Sequence, residues 1–210
     1  MDIKGCLVVA DALNCQRETA KVIVSGKGDY LLSVKENQPS LMQDIRDYVQ
    51  DDDLRGGMSA QSIREKSRDR IEKRTAFVTQ DIEWLPQKSQ WDHLACIGAI
   101  HTEFQTKAGK SSQWHYYISS RPLSAEDLLH HARMEWAVET MHWLLDVHFE
   151  EDYLRVANKT IQENMNLLRK FALSMIRQYK SRIVSKRALS KLMFDCLLDP
   201  NMILRVLSQN

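Results

Sequence analysis

Two short apolar runs, GCLVVADAL (Gly5 to Leu13) and DYLLSVK (Asp29 to Lys35), are separated by just enough chain for one helix. Such runs, without polar alternation, read as buried strands. The segment between them, NCQRETAKVIVSGKG, reads as a helix. Asn14 or an earlier residue caps it, Ala20, Val22, Ile23 and Val24 form its apolar side, and Gly26 and Gly28 stop it. Strands joined through a helix pair in parallel with a right-handed crossover. This unit therefore demands an α/β sheet. Function in open α/β sheets collects at the C-terminal ends of strands. Asp11 and the segment Lys35-Glu36-Asn37-Gln38 fall at such ends.

PSLMQDIRDYVQ follows as a helix with Pro39 at its start, and residues 51–75 are polar and charged, suiting a loop or an edge. RTAFVTQDIEWL, HLACIGAIHTEF and WHYYISS read as antiparallel strands. After Pro122 the pattern becomes helical. Ser124 opens a capping box with Asp127 in place of the usual Glu or Gln. Leu128, Leu129, Ala132, Trp136, Met141, Trp143, Leu144 and Val147 recur as in a long buried helix. TIQENMNLLRKFALSMIRQY, SKRALSKLMFDCLL and PNMILRVLSQ are further helices. A 43% hydrophobic content fills a real core. No apolar run approaches a membrane span, and the opening residues do not form a signal peptide. The four cysteines form no C-x-x-C pair, which fits reduced thiols in a cytosolic protein.

Net charge is only +1, but the charge is unevenly placed. WAVETMHWLLDVHFEED (136–152) carries acids without Lys or Arg, and ten Lys/Arg against the single acid Glu163 follow between Arg155 and Lys191. At about 100° per residue, Glu139, His142, Asp146 and Glu150 share one helical stripe. A solvated stripe would usually mix in Lys. Crowded carboxylates raise one another's pKa unless a cation joins them, and oxygen donors suit Mg²⁺ or Mn²⁺. A di-iron site would need a second Glu-x-x-His, zinc an H-E-x-x-H or paired cysteines, and a serine hydrolase a G-x-S-x-G; none occurs. What remains is Asp11 at a strand end, Glu139 on a late helix, and a basic stretch that is either a phosphate-binding tail or a solvated face. Two metals held by acids from separate elements perform in-line attack on phosphodiesters.

VADALNCQ (with Asp11, Ala12, Cys15 and Gln16), GDYLLSVKENQ (Gly28 to Gln38), RIEKR (Arg70 to Arg74), YYISS (Tyr116 to Ser120) and WAVETMHWLLDVHFEED occur in this order along essentially the whole chain. Together they resemble the H-repeat-associated, Rhs-linked insertion-sequence transposases, which are DDE enzymes with a ribonuclease-H-like core. The resemblance implies a partial ribonuclease-H-like α/β core over 1–50. It further implies a β-rich insertion over 70–120, a catalytic-Glu helix over 124–152 and a basic helical tail over 153–210. Asp11 takes the place of the second Asp of the triad and Glu139 that of its Glu. Both would be catalytic and hold Mg²⁺ or Mn²⁺ in a two-metal arrangement. Lys35, Asn37, Arg133, His142, Lys186 and Arg187 would meet DNA at transposon ends. A bacterial, cytoplasmic, nucleoid-associated setting follows from the same resemblance.

Two departures shape the expectation. The first Asp of the triad belongs on a strand well upstream, and only ten residues precede Asp11. An N-terminally truncated chain with two of three carboxylates, inactive alone, is therefore expected. A sheet lacking its first three strands exposes an edge, so a homodimer or another partner is expected to cover it. Secondly, the positions where related transposases place Tyr, Arg and Lys around the Glu hold Ala132, Glu135 and Asp146. The alternative is a non-catalytic DNA-binding or interaction module derived from a transposase.

Overall fold

The computed structural model describes residues 2–66, 70–149, 153, 155–156, 158–183 and 187–208; for 137–139 it gives the helical backbone without side chains. These residues form two compact units, 1–136 and 137–210, divided within one helix.

The first unit is built on a six-stranded sheet. Its strands are β1 (Leu7–Ala10), β2 (Asp29–Val34), β3 (Ser59–Lys66), β4 (Arg70–Thr79), β5 (Cys96–Thr106) and β6 (Gly109–Ser119), in the order β1-β2-β6-β5-β4-β3. β1 and β2 are parallel, with Leu7 opposite Asp29 and Ala10 opposite Leu32. All other pairs are antiparallel. Helix α1 (Arg17–Ser25) makes the crossover, as the sequence requires. α2 (Pro39–Gln50) and the short α3 (Asp52–Gly56) lead to β3. β3 makes an outer strand of a region whose polarity suited a loop or an edge. Its residues are mostly exposed, as an edge strand needs, and apolar patterning could not reveal it.

The pleat sends alternate residues to opposite faces. Ala20 and Ile23 of α1 and Leu41, Ile45 and Val49 of α2 cover one face, packing on Tyr30, Leu32, Val34, Ala99, Tyr116 and Ile118. Helix α4 (Ala125–Phe149) covers the other with Leu128, Leu129 and Ala132, against Leu31, Ala76, Val78, Ile100 and Tyr117. Burying one such side chain contributes roughly 1.5–3 kcal/mol. Gly98 allows this approach: a Cβ there would lie 2.6 Å from Leu128 Cδ2 and 3.3 Å from the Phe77 carbonyl oxygen. The start of α4 is fixed as its sequence implies. Ser124 N and Oγ donate to Asp127 Oδ2 at 3.1 and 2.7 Å, and Asp127 N donates to Ser124 Oγ at 3.0 Å.

Three local expectations are corrected. β1 is half-buried rather than buried, because it is the outermost strand on its side. The N-cap of α1 is Gln16, with no capping side chain, since Asn14 belongs to a 3-10 turn over Ala12–Asn14. Gly26 closes α1 at φ −75°, and the left-handed residue of the turn is Lys27 at φ 60°.

The second unit contains the C-terminal part of α4, α5 (Lys159–Arg182), α6 (Leu189–Leu198) and α7 (Pro200–Leu207). Leu144, Leu145 and Leu173 form one core, and Ile176, Leu192, Met202 and Val206 another. Asn158 Oδ1 caps α5, accepting from Ile161 N at 3.2 Å. Trp143, expected in packing, is 56% exposed. At this place in α4 the inward side belongs to Leu144 and Leu145.

Candidate active site

β1 ends at Ala10, and the chain turns at once into the 3-10 turn with Asp11 at its start. Asp11 is exposed, at φ −69° and ψ 174°. Its Oδ1 accepts from Asn14 Nδ2 at 2.7 Å. The turn is pinned from the neighbouring strand. Asn37 Nδ2 donates to the carbonyls of Ala12 (2.6 Å) and Cys15 (3.2 Å), and Gln38 Nε2 donates to the same Cys15 carbonyl at 3.0 Å. Cys15 is fully buried, and burial pushes its thiol up to about 12, so it anchors the turn as an apolar group and no thiolate forms. Parallel pairing places the ends of β1 and β2 on the same side of the sheet, which lets Asn37 and Gln38 reach the turn after Asp11. The expectation that Asp11 and the 35–38 segment share one end of the sheet is met, and the Asn37 amide donors go to the Asp11 turn. Lys35 is exposed just beyond β2.

Asp11 has the chemistry of a ligand for a hard cation: an exposed carboxylate, oriented through one oxygen. By itself it is not a metal site. Among the described residues no three His, Cys, Asp or Glu side chains gather closely enough to hold an ion. Glu139 lies on α4 with its side chain outside the described residues.

Of the other candidates, His142 is exposed. Arg133 pairs with Glu65 Oε1 at 2.7 Å, while Arg74 pairs with Glu65 Oε2 at 2.6 Å and with Glu72. Arg74 also lies over the Trp136 ring at 5.2 Å, and Arg70 pairs with Glu72. Burial works to raise the Glu65 carboxyl, but hydrogen bonds and charge from Arg74 and Arg133 outweigh it and hold it below the usual range. The arginines of RIEKR and Arg133 thus form a half-exposed ionic network on the face under α4. Arg187 pairs with Asp195 Oδ2 at 2.7 Å, and Lys186 lies outside the described residues. On α5, Lys170, Arg177 and Arg182 are exposed.

No described helix is long and apolar enough to cross a membrane. The family profile described as "Transposase DDE domain" matches residues 1–175. "Putative transposase YncI" of Escherichia coli O157:H7 is 31% identical over 188 residues, covering 86% of this chain and 48% of the relative. "H repeat-associated putative transposase YhhI" of Escherichia coli strain K12 is 30% identical over 216 aligned positions, covering 99% of this chain and 56% of the relative. "Putative protein YbfL" of the same strain matches to the same extent. The chain spans about half the length of the curated relatives it matches. A profile covering most of the chain, and relatives aligned along nearly all of it, place this protein in the DDE transposase domain family, of ribonuclease-H-like fold.

Proposed function

We propose that these 210 residues supply the second Asp (Asp11) and the Glu (Glu139) of a transposase site that cuts and joins DNA strands by phosphodiester transfer. The observation that carries this reading is the Asp11 turn. An exposed carboxylate at a strand end is oriented by Asn14, and its turn is tied to β2 by Asn37 and Gln38. Asp11 and Glu139 would be ligands for Mg²⁺ or Mn²⁺, which supplies activation of an attacking hydroxyl and stabilisation of the leaving oxygen. The residues' own part is to present oxygen donors without rearrangement.

In this reading the 210 residues contribute two of three carboxylates, so the chain assayed alone is catalytically weak. A plasmid-nicking assay with Mg²⁺ or Mn²⁺ tests this. Nicking at background level agrees with the reading. Robust nicking abolished by Asp11→Ala would show instead that another acid, from the chain or from a second copy, completes the site. The second reading, a DNA-binding module without chemistry, has the exposed cations of α5 in its favour. It is supported if DNA binding is salt-sensitive and metal-independent while Asp11→Ala is silent in every assay.

A further inference from the structure

The outer strands treat their two faces differently. On the face under α4, Arg70, Arg74 and Arg133 are all matched by Glu65 and Glu72. On the opposite face the register places Arg64 opposite Lys73, Lys73 opposite Glu103, and Lys110 opposite Gln105 one row further out. Lys73 approaches Glu103 at 3.3 Å, and no carboxylate among the described residues pairs with Arg64 or Lys110. Like charges directly opposite on a sheet repel each other and destabilise the pairing. An anion lying across Arg64 and Lys73 would turn that repulsion into attraction.

The same face is concave. A cavity of about 380 Å³ is lined by Arg64, Lys73, His101, Glu103 and Lys110. Beside it, His101 stacks on Trp114 with ring centroids 4.3 Å apart. Burial holds the His101 imidazole below its ordinary value; Glu103 opposes the shift, while Arg55 and Lys73 add to it. The ring is therefore neutral at pH 7 and offers a flat apolar border to the cationic row.

We propose that this face of β3–β6 docks the phosphate backbone of duplex DNA across Arg64, Lys73 and Lys110. The choice of DNA as occupant rests on the transposase reading; the charge of the occupant rests on the face itself. Neighbouring strands lie about 4.8 Å apart, so Lys110 and Lys73 stand about two strand spacings apart and can meet separate phosphates.

The test is equilibrium binding of the 210-residue chain to a fluorescent 30-base-pair duplex, read by anisotropy across a salt series with EDTA present. The Arg64→Ala, Lys73→Ala, Lys110→Ala variant is expected to weaken low-salt binding about tenfold or more. It should also reduce the slope of log K against log salt by about 2–3, near 0.9 per lost phosphate contact. Lys73→Arg with Lys110→Arg should retain both. A folded triple variant with unchanged slope and affinity would overturn the proposal. If the triple variant melts early, Lys110→Glu at the exposed hairpin end decides in its place, by the same loss or by its absence. EDTA removes any metal-held contribution of Asp11 and Glu139, so the readout reports the cationic face alone. A failure of the catalytic reading therefore leaves this result untouched, and a silent face leaves the Asp11 reading untouched.

Discussion

At the scale of single residues, the informative atoms are those that hold Asp11. Asn37 Nδ2 serves two carbonyls, so Asn37→Ala leaves the Ala12 carbonyl with the Cys15 backbone N–H alone and the Cys15 carbonyl with Gln38 Nε2 alone. A loss of about 1–2 kcal/mol is expected in urea denaturation; no change would mean that the turn stands without the clamp. The place of Asp11 at a strand end was legible from the sequence, because a short apolar run ending in a carboxylate reads as a strand. The role of Asn37 was not. A strand-end amide is equally suited to a phosphate and to a neighbouring carbonyl, and only the parallel register of β1 and β2 settles which one it reaches. Arg133 illustrates the same limit, since its partner Glu65 lies far away in sequence. Glu65 also sets a pH dependence. Its folded-state pKa lies below the ordinary value of 4.5. Its stabilisation is therefore complete above pH 4.5 and is lost as pH falls below that through the lower folded value. Asp127, held below 3.8 by hydrogen bonds from Ser124, adds in the same direction at slightly lower pH. Acid titration of the melting temperature should steepen below pH 4.5, and Glu65→Gln should flatten part of that slope.

Among the elements, α4 shows what a sequence pattern can and cannot fix. Its capping box was readable at Ser124 and Asp127, because that signal is local. Ser124→Ala is expected to cost about 0.5–2 kcal/mol. Its apolar positions promised a buried helix, yet Trp143 is exposed while Leu144 and Leu145 are buried. Periodicity marks a stripe but cannot say which neighbours cover it along 25 residues. Where α4 meets the sheet, Gly98 is the counterpart. Gly98→Ala should destabilise by about 1–3 kcal/mol through overpacking against Leu128. An unchanged melting temperature would show that Leu128 can rotate away. β3 was legible only as a loop or an edge, for the opposite reason. Exposed edge strands lack the apolar alternation by which strands are recognised, and the basic row it completes with β4 is visible only in register.

For the whole molecule, the α/β class followed from one strand–helix–strand unit, and the family from five short motifs in order. The sequence also foresaw antiparallel pairing of the later strands, because each is bounded by turn residues and carries a continuous apolar run. It could not foresee that β2 joins β6 and so merges both regions into one sheet, since that contact links residues some 85 apart (Leu31 with Ser119, Val34 with Tyr116). At this scale the proposed chemistry requires Asp11 and Glu139 to be metal-binding carboxylates. Mn²⁺ binding followed by electron paramagnetic resonance, on the parent chain and on Asp11→Ala and Glu139→Ala, tests this most directly. Saturable Mn²⁺ binding is expected, weakened in each variant by more than the roughly 10–100-fold that losing an outer-sphere partner costs. Equal Mn²⁺ affinity in the parent and both variants would contradict it.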